Sequence, residues 1–173
     1  MSEKVFFRLS GLAAVVSAGL SFFTAIAVVL SSLSLQISGS IINLLLIITN
    51  LFIVFALIGF YGVQQKEIGT QGLVGFVLSV IGILSTFLVP LVGHLIFLLG
   101  LLLYAITNGR NGSLPKSAMW LWFSGAFVAV TAGVLSFGVL MSLGLVISAS
   151  GRAWLGTVVW LGRGGEPSPQ VSF

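Results

Sequence analysis

Long apolar runs alternate with short polar breaks along the whole chain, and the lengths of the runs predict its elements. Residues 9–30 form an unbroken apolar stretch of 22, and about 20 such residues suffice for a helix to cross a hydrocarbon core roughly 30 Å thick. The break SSLSLQISG carries no charge and leads to a second run over residues 40–63. GFYGVQQKEIGTQG then introduces Lys66 and Glu67, and a third run over residues 72–89 stops at Pro90. Residues 91–108 make the fourth. One continuous helix over residues 72–108 would be about 55 Å long, so the Pro90 region is predicted to be a tight hairpin.

TNGRNGSLPK, dense in turn formers, precedes an apolar region over residues 117–161. That length is too great for one crossing and sufficient for two. The pattern predicts a fifth helix and a sixth over roughly residues 142–161, with their hairpin near residues 137–141. The predicted fold class is therefore all-α, a polytopic integral membrane helical bundle of six transmembrane helices arranged as three hairpins. Residues 1–163 form the bundle, and GGEPSPQVSF, residues 164–173, is predicted to be a disordered cytoplasmic tail.

Charge tests the count. With the N-terminus in the cytoplasm, six crossings place Lys4, Arg8, Lys66, Arg110, Lys116 and Arg163 on the cytoplasmic side and leave the outer loops without Lys or Arg, as the positive-inside rule requires. A five-helix alternative joins residues 117–149 into one overlong helix and leaves Arg152 and Arg163 outside together. The basic start and Ala25-Ile26-Ala27 have the look of a secretory signal, but the first apolar run exceeds the roughly 7–15 residues of such a core. LIGFYGVQQKEIGTQGLVGF and LLLYAITNGRNGSLPKSAMWLWF share one pattern, an aromatic-ended helix entering a turn with glycine and a cation. Both duplication and the general form of a membrane hairpin produce it.

Composition removes the soluble classes. Hydrophobic residues are 58% and charged residues 6%, with a mean hydropathy of +1.23, whereas roughly a quarter of a soluble domain is charged. The net charge of +4 is dispersed rather than clustered with aromatics, which fits anionic membrane lipid as a neighbour and no nucleic acid. Without cysteine there is no disulfide, thiolate metal site or Cys nucleophile.

The titratable groups are too few and too far apart for acid–base work. His94 is predicted at the outer end of the fourth helix, while Glu3, Glu67 and Glu166 lie on the cytoplasmic side, about 30 Å away. A lone His does not supply a zinc ligand set, and the Trp rings come with no haem ligands. GRNGSLPKS has Pro115 where a phosphate loop needs glycine. No enzymatic activity, metal or cofactor is predicted, and His94 is kept as an outer-face candidate.

Small residues recur every fourth position at Ala13, Ser17, Ser21 and Ala25, at Gly125, Ala129 and Gly133, and at Gly75 and Ser79. Such stripes let helix backbones approach closely. Gly144, Ser148, Arg152 and Gly156 make the same stripe on the last helix, which predicts that Arg152 faces inward. An intramembrane arginine costs about 2.5–3.5 kcal/mol on insertion scales unless it finds acceptors. Asn50 lies at a similar predicted depth, and the Trp154 ring is a candidate to cover the guanidinium. Arg152, Asn50 and Trp154 thus form the predicted intramembrane polar site. The remaining tryptophans and Tyr61 and Tyr104 fall near predicted cytoplasmic ends, as an interfacial belt.

Gly59-Phe60-Tyr61 with Gln64-Gln65, Leu114-Pro115-Lys116, and Ala153-Trp154-Leu155-Gly156 give the chain from Leu57 onward a pattern that resembles uncharacterised small multi-pass bacterial membrane proteins. Arg152 departs from that pattern, where a small or apolar residue is expected. The resemblance implies six helices, the bacterial inner membrane and no defined activity. The expected function is a non-enzymatic structural or accessory subunit of a membrane assembly, in contact with lipid and with other membrane subunits or copies of itself through the small-residue faces. The alternative is a small oligomeric transporter or channel with its polar point near Asn50 and Arg152.

Overall fold

A computed structural model describes residues 3–33 and 37–162, and among them every regular element is helical. The order is α1 (Glu3–Ser32), α2 (Gly39–Ser85), α3 (Pro90–Asn111), α4 (Lys116–Val134) and α5 (Gly138–Trp160). All five are long and apolar enough to cross a membrane. The tail over residues 164–173 and Arg163 lie outside the described residues.

The helix count is five rather than six, but not by the route that the five-helix alternative took. Residues 117–149 do not merge; α4 and α5 remain separate. Instead, the second and third predicted helices run together in α2, whose 47 residues are interrupted only at Gly69, with φ 55° and ψ −157°. Straight, α2 would be about 70 Å long. It is not straight, because the rings of Tyr61 and Phe76 stack at 4.7 Å and 16°, whereas fifteen residues of helix would separate their backbones by about 22 Å. The chain folds back at Gly69, so α2 supplies two arms. The polar break expected around Gln64 to Gly72 is compressed into one glycine, whose backbone geometry is closed to residues with a side chain.

The other turns have readable causes. Pro90 opens α3 as its first residue, where its missing N–H costs nothing, so the predicted hairpin is present. Between α4 and α5 the turn comes earlier than expected, at residues 135–137. Ser136 takes φ 60°, the Phe137 amide donates to the Ala132 carbonyl at 2.8 Å, and the Ser136 amide donates to the Gly133 carbonyl at 3.2 Å. This is a Schellman closure with serine in the position usually held by glycine, which is why no residue type marks it.

Packing follows the small-residue stripes. α1 lies between α2 and α5: Gly59 of α2 faces Ser10, and Gly156 of α5 faces Gly11. The second arm of α2 packs on α3, where a Cβ on Gly82 would sit 2.2 Å from the Phe97 amide nitrogen and one on Gly100 2.3 Å from the Ser79 nitrogen. α4 and α5 meet at Gly125 against Ser148 and Gly144 against Ala129. Gly133, the third member of its predicted stripe, is exposed. Phe60 and Trp122, both buried, meet edge to face at 6.0 Å in the centre.

Buried hydroxyls along the seams turn back on their own helices. Ser17 donates to the Ala14 carbonyl, Thr24 to Leu20 and Ser79 to Gly75, each at 2.8 Å, so the stripes bring little unsatisfied polarity into the apolar interior.

These contacts also gather the charges. The cleft shared by Lys4, Arg8, Lys66 and Gly162 and the Gln64–Asn108–Leu114 hydrogen bonds bring the start of α1, the end of α5, the Gly69 fold and the α3–α4 turn to one end of the bundle. Lys4, Arg8, Lys66, Arg110 and Lys116 all lie at that end, and among the described residues Arg152 alone of the Lys and Arg is buried.

The seams predict a paired outcome. In Gly125→Ala the new methyl would lie 2.2 Å from the Ser148 backbone nitrogen, and stability is expected to fall by about 1–3 kcal/mol. Gly19 has open space around it, so Gly19→Ala should be neutral or gain up to about 1 kcal/mol from helix propensity. Thermal unfolding of the detergent-solubilised protein, followed by size-exclusion chromatography, compares the two.

Candidate intramembrane polar site

Arg152 sits on the face of α5 that carries Gly144, Ser148 and Gly156, and all four are buried. It is 2% exposed. Eight residues separate it from the end of α5 at Trp160, or about 12 Å at helical rise, so it lies well inside the span rather than at its edge. Its Nη2 donates to Ser21 Oγ at 2.5 Å. Its Nε is buried and has no partner.

Ser21 occupies the middle of the Ala13, Ser17, Ser21, Ala25 stripe of α1, all of it buried. The spacing of the stripe predicts a packing surface, and it also supplies the acceptor for the inward arginine. The signal was present: two stripes of the same spacing, one with a cation and one with hydroxyls, meet when their helices pack.

Asn50 is not brought to Arg152. Gly59 against Ser10 sets α2's first arm antiparallel to α1, which places Asn50 roughly level with Ser21, so the expected depth is right. α1, however, stands between α2 and α5, which themselves touch only slightly. Asn50 is half-buried. Trp154 is also separated from the guanidinium: two residues along a helix turn the side chain by about 200°, and Trp154 is 47% exposed on the outer surface. His94 is half-buried in the first turn of α3, with Nδ1 2.7 Å from the Pro90 carbonyl. It lies at the end opposite the clustered cations.

A second polar group joins residues that the run pattern does not bring together. The Tyr104 hydroxyl donates to Gln64 Oε1 at 3.0 Å, Gln64 Nε2 donates to Asn108 Oδ1, and Asn108 Nδ2 donates to the Leu114 carbonyl at 3.1 Å. All three side chains are fully buried. Tyr104 and Asn108 are four apart on α3 and therefore share a face, which was legible. Their partner Gln64 was not, because the run lengths place it in a polar turn rather than in a helix. The relay ties α2's first arm to α3 and to the α3–α4 turn.

Chemically, the Arg152 site offers one buried cation with a single hydroxyl acceptor, and the Gln64 relay offers matched neutral donors and acceptors. Among the described residues, no group of three His, Cys, Asp or Glu is placed to hold a metal ion.

The arginine and its acceptor form a testable pair. Ser21→Ala is expected to cost about 1–3 kcal/mol by removing the acceptor of a buried donor, and close to nothing in an Arg152→Met background, where no donor remains. Arg152→Met alone should be neutral or stabilising, as when a buried charge is replaced by an apolar side chain of similar volume. Asn50→Ala should be additive with Arg152→Met. A double-mutant cycle on unfolding free energy measures all of these.

No protein-family model, curated protein or solved structure matches the chain.

Proposed function

We propose that this protein is a non-enzymatic accessory subunit of a membrane assembly, seated in the bacterial inner membrane with its cation-bearing end in the cytoplasm. The orientation rests on the positive-inside rule applied to Lys4, Arg8, Lys66, Arg110 and Lys116. The bacterial membrane is supported by the resemblance of the sequence.

The observation that carries the subunit reading is the outward face of α4. Trp120 and Phe127 are 43% and 52% exposed, and Phe123 bridges them, at 5.8 Å from Trp120 and 6.3 Å from Phe127. Large aromatic side chains are the usual anchors of protein interfaces. The small-residue stripes expected to serve self-association are instead consumed inside the chain, by the α1–α5, α4–α5 and α2–α3 contacts. A lateral partner must therefore meet a different surface, and the α4 ladder is the one with aromatic anchors in a row.

The transport alternative draws on the unpaired Nε of Arg152. It required Asn50 and Arg152 to share one polar point, and α1 separates them.

The chain has no cysteine, so single cysteines report directly. Ser124 is exposed between Trp120 and Phe127, and Val16 is 37% exposed on α1. In native membranes, Ser124→Cys is expected to crosslink to one defined heterologous polypeptide and Val16→Cys to none. Equal, diffuse labelling at both positions would remove the subunit reading. A symmetric self-crosslinked species with Arg152 reachable by water would favour transport instead.

A further inference from the structure

α1 begins, and α2's first arm and α5 end, around an open cleft of about 570 Å³. That volume is within the roughly 300–1,000 Å³ of ligand sites. Lys4, Arg8 and Lys66 line it, with Phe7, Val159 and Leu161 among the apolar walls. No acidic side chain is among its lining residues within the described chain. Lys4 and Arg8 are one helical turn apart on one face of α1, and Lys66 approaches from α2. The three side chains are exposed.

Cations at this place have an ordinary use, compensation of helix carbonyl ends, and magnitudes decide whether that use exhausts them. The ends of α2's first arm and α5 bring about −0.5 charge each and the start of α1 about +0.5. The sum is about −0.5, and Glu67 beside Lys66 adds about −1 at most, against three full positive charges, so the cleft stays net cationic. Its floor is also fixed: the Phe7 ring packs so closely on Gly62 that a Cβ there would lie 2.7 Å from it.

We infer that this cleft is a headgroup site for an anionic phospholipid, with the phosphate held by Arg8, Lys4 and Lys66. Guanidinium pairs phosphate oxygens in a bidentate fork, and ammonium groups serve as point charges. The cleft's place at the end of the spanning helices favours a lipid over a soluble anion. From its rim α1 presents Val5, Leu9 and Leu12 outward, each more than 40% exposed, as a surface for acyl chains. Basic pockets between helix ends are a known form of headgroup recognition. The site does not depend on the subunit reading.

The test uses the full chain in nanodiscs of equal parts phosphatidylcholine and phosphatidylglycerol, with native mass spectrometry of the lipid retained on release. The wild type is expected to retain phosphatidylglycerol over phosphatidylcholine by on the order of tenfold or more. The triple variant Lys4→Gln, Arg8→Gln, Lys66→Gln should bring that ratio to near unity. Arg110→Gln with Lys116→Gln, which removes charge from the same end outside the cleft, should leave it unchanged.

An unchanged ratio in the triple variant overturns the site, as does an equal loss in the Arg110 and Lys116 variant, which would assign the preference to diffuse charge. Displacement of phosphatidylglycerol by millimolar inorganic phosphate, together with cleft-dependent thermal protection by phosphate in phosphatidylcholine discs, would assign the cleft to a soluble anion and overturn the lipid. If the triple variant does not fold, exposed Lys66→Gln alone is expected to lower the ratio several-fold, and no change there overturns the site.

Discussion

Between Gly125 and the Ser148 amide there is no room for a methyl group, and the same holds where Gly82 meets Phe97 and Gly156 meets Gly11. In lipid, apolar side chains gain little by leaving one hydrocarbon surface for another, so helices are held by close van der Waals approach and by hydrogen bonds between them. That approach is the constraint on which the rest of this structure depends. It sets α1 between α2 and α5, folds α2's second arm onto α3, and brings Arg152 within reach of a hydroxyl on α1. The hydroxyls in the seams are compatible with such contact because Ser17, Thr24 and Ser79 spend their donors on their own carbonyls.

The two buried polar groups divide the interior by depth and by chemistry. Near the cation-bearing end, Tyr104, Gln64 and Asn108 match donors to acceptors and finish on the Leu114 carbonyl. Well inside the span, Arg152 holds one acceptor and leaves Nε without any. The first arrangement is neutral and internally complete, as an apolar surrounding demands. The second keeps an incompletely satisfied group where hydrogen-bonding water is least available.

Most of the fold was written in run lengths and spacings. Apolar runs located the helical segments, Pro90 marked a hairpin, the dispersed cations marked one end, and the four-residue stripe on the last helix predicted that Arg152 turns inward. What escaped has physical reasons. Gly69 is one of 22 glycines, and nothing local distinguishes the one that reverses a 47-residue helix. Ser136 closes a turn in a backbone geometry that composition does not announce. Depth along the membrane was readable for Asn50, but neighbourhood was not, because the lateral order of helices depends on which seams close. Trp154 was placed by depth alone, and its two-residue offset from Arg152 carries it to the opposite face.

The link between Arg152 and Ser21 joins residues 131 positions apart, on the last helix and the first. Their seam cannot form until α5 has been made. Until then α1 keeps a face of small residues and hydroxyls without its neighbour, and only the arrival of α5 covers it. Completion of the bundle and burial of its arginine are one event, so a chain truncated before α5 differs from the finished protein over the whole length of its first helix.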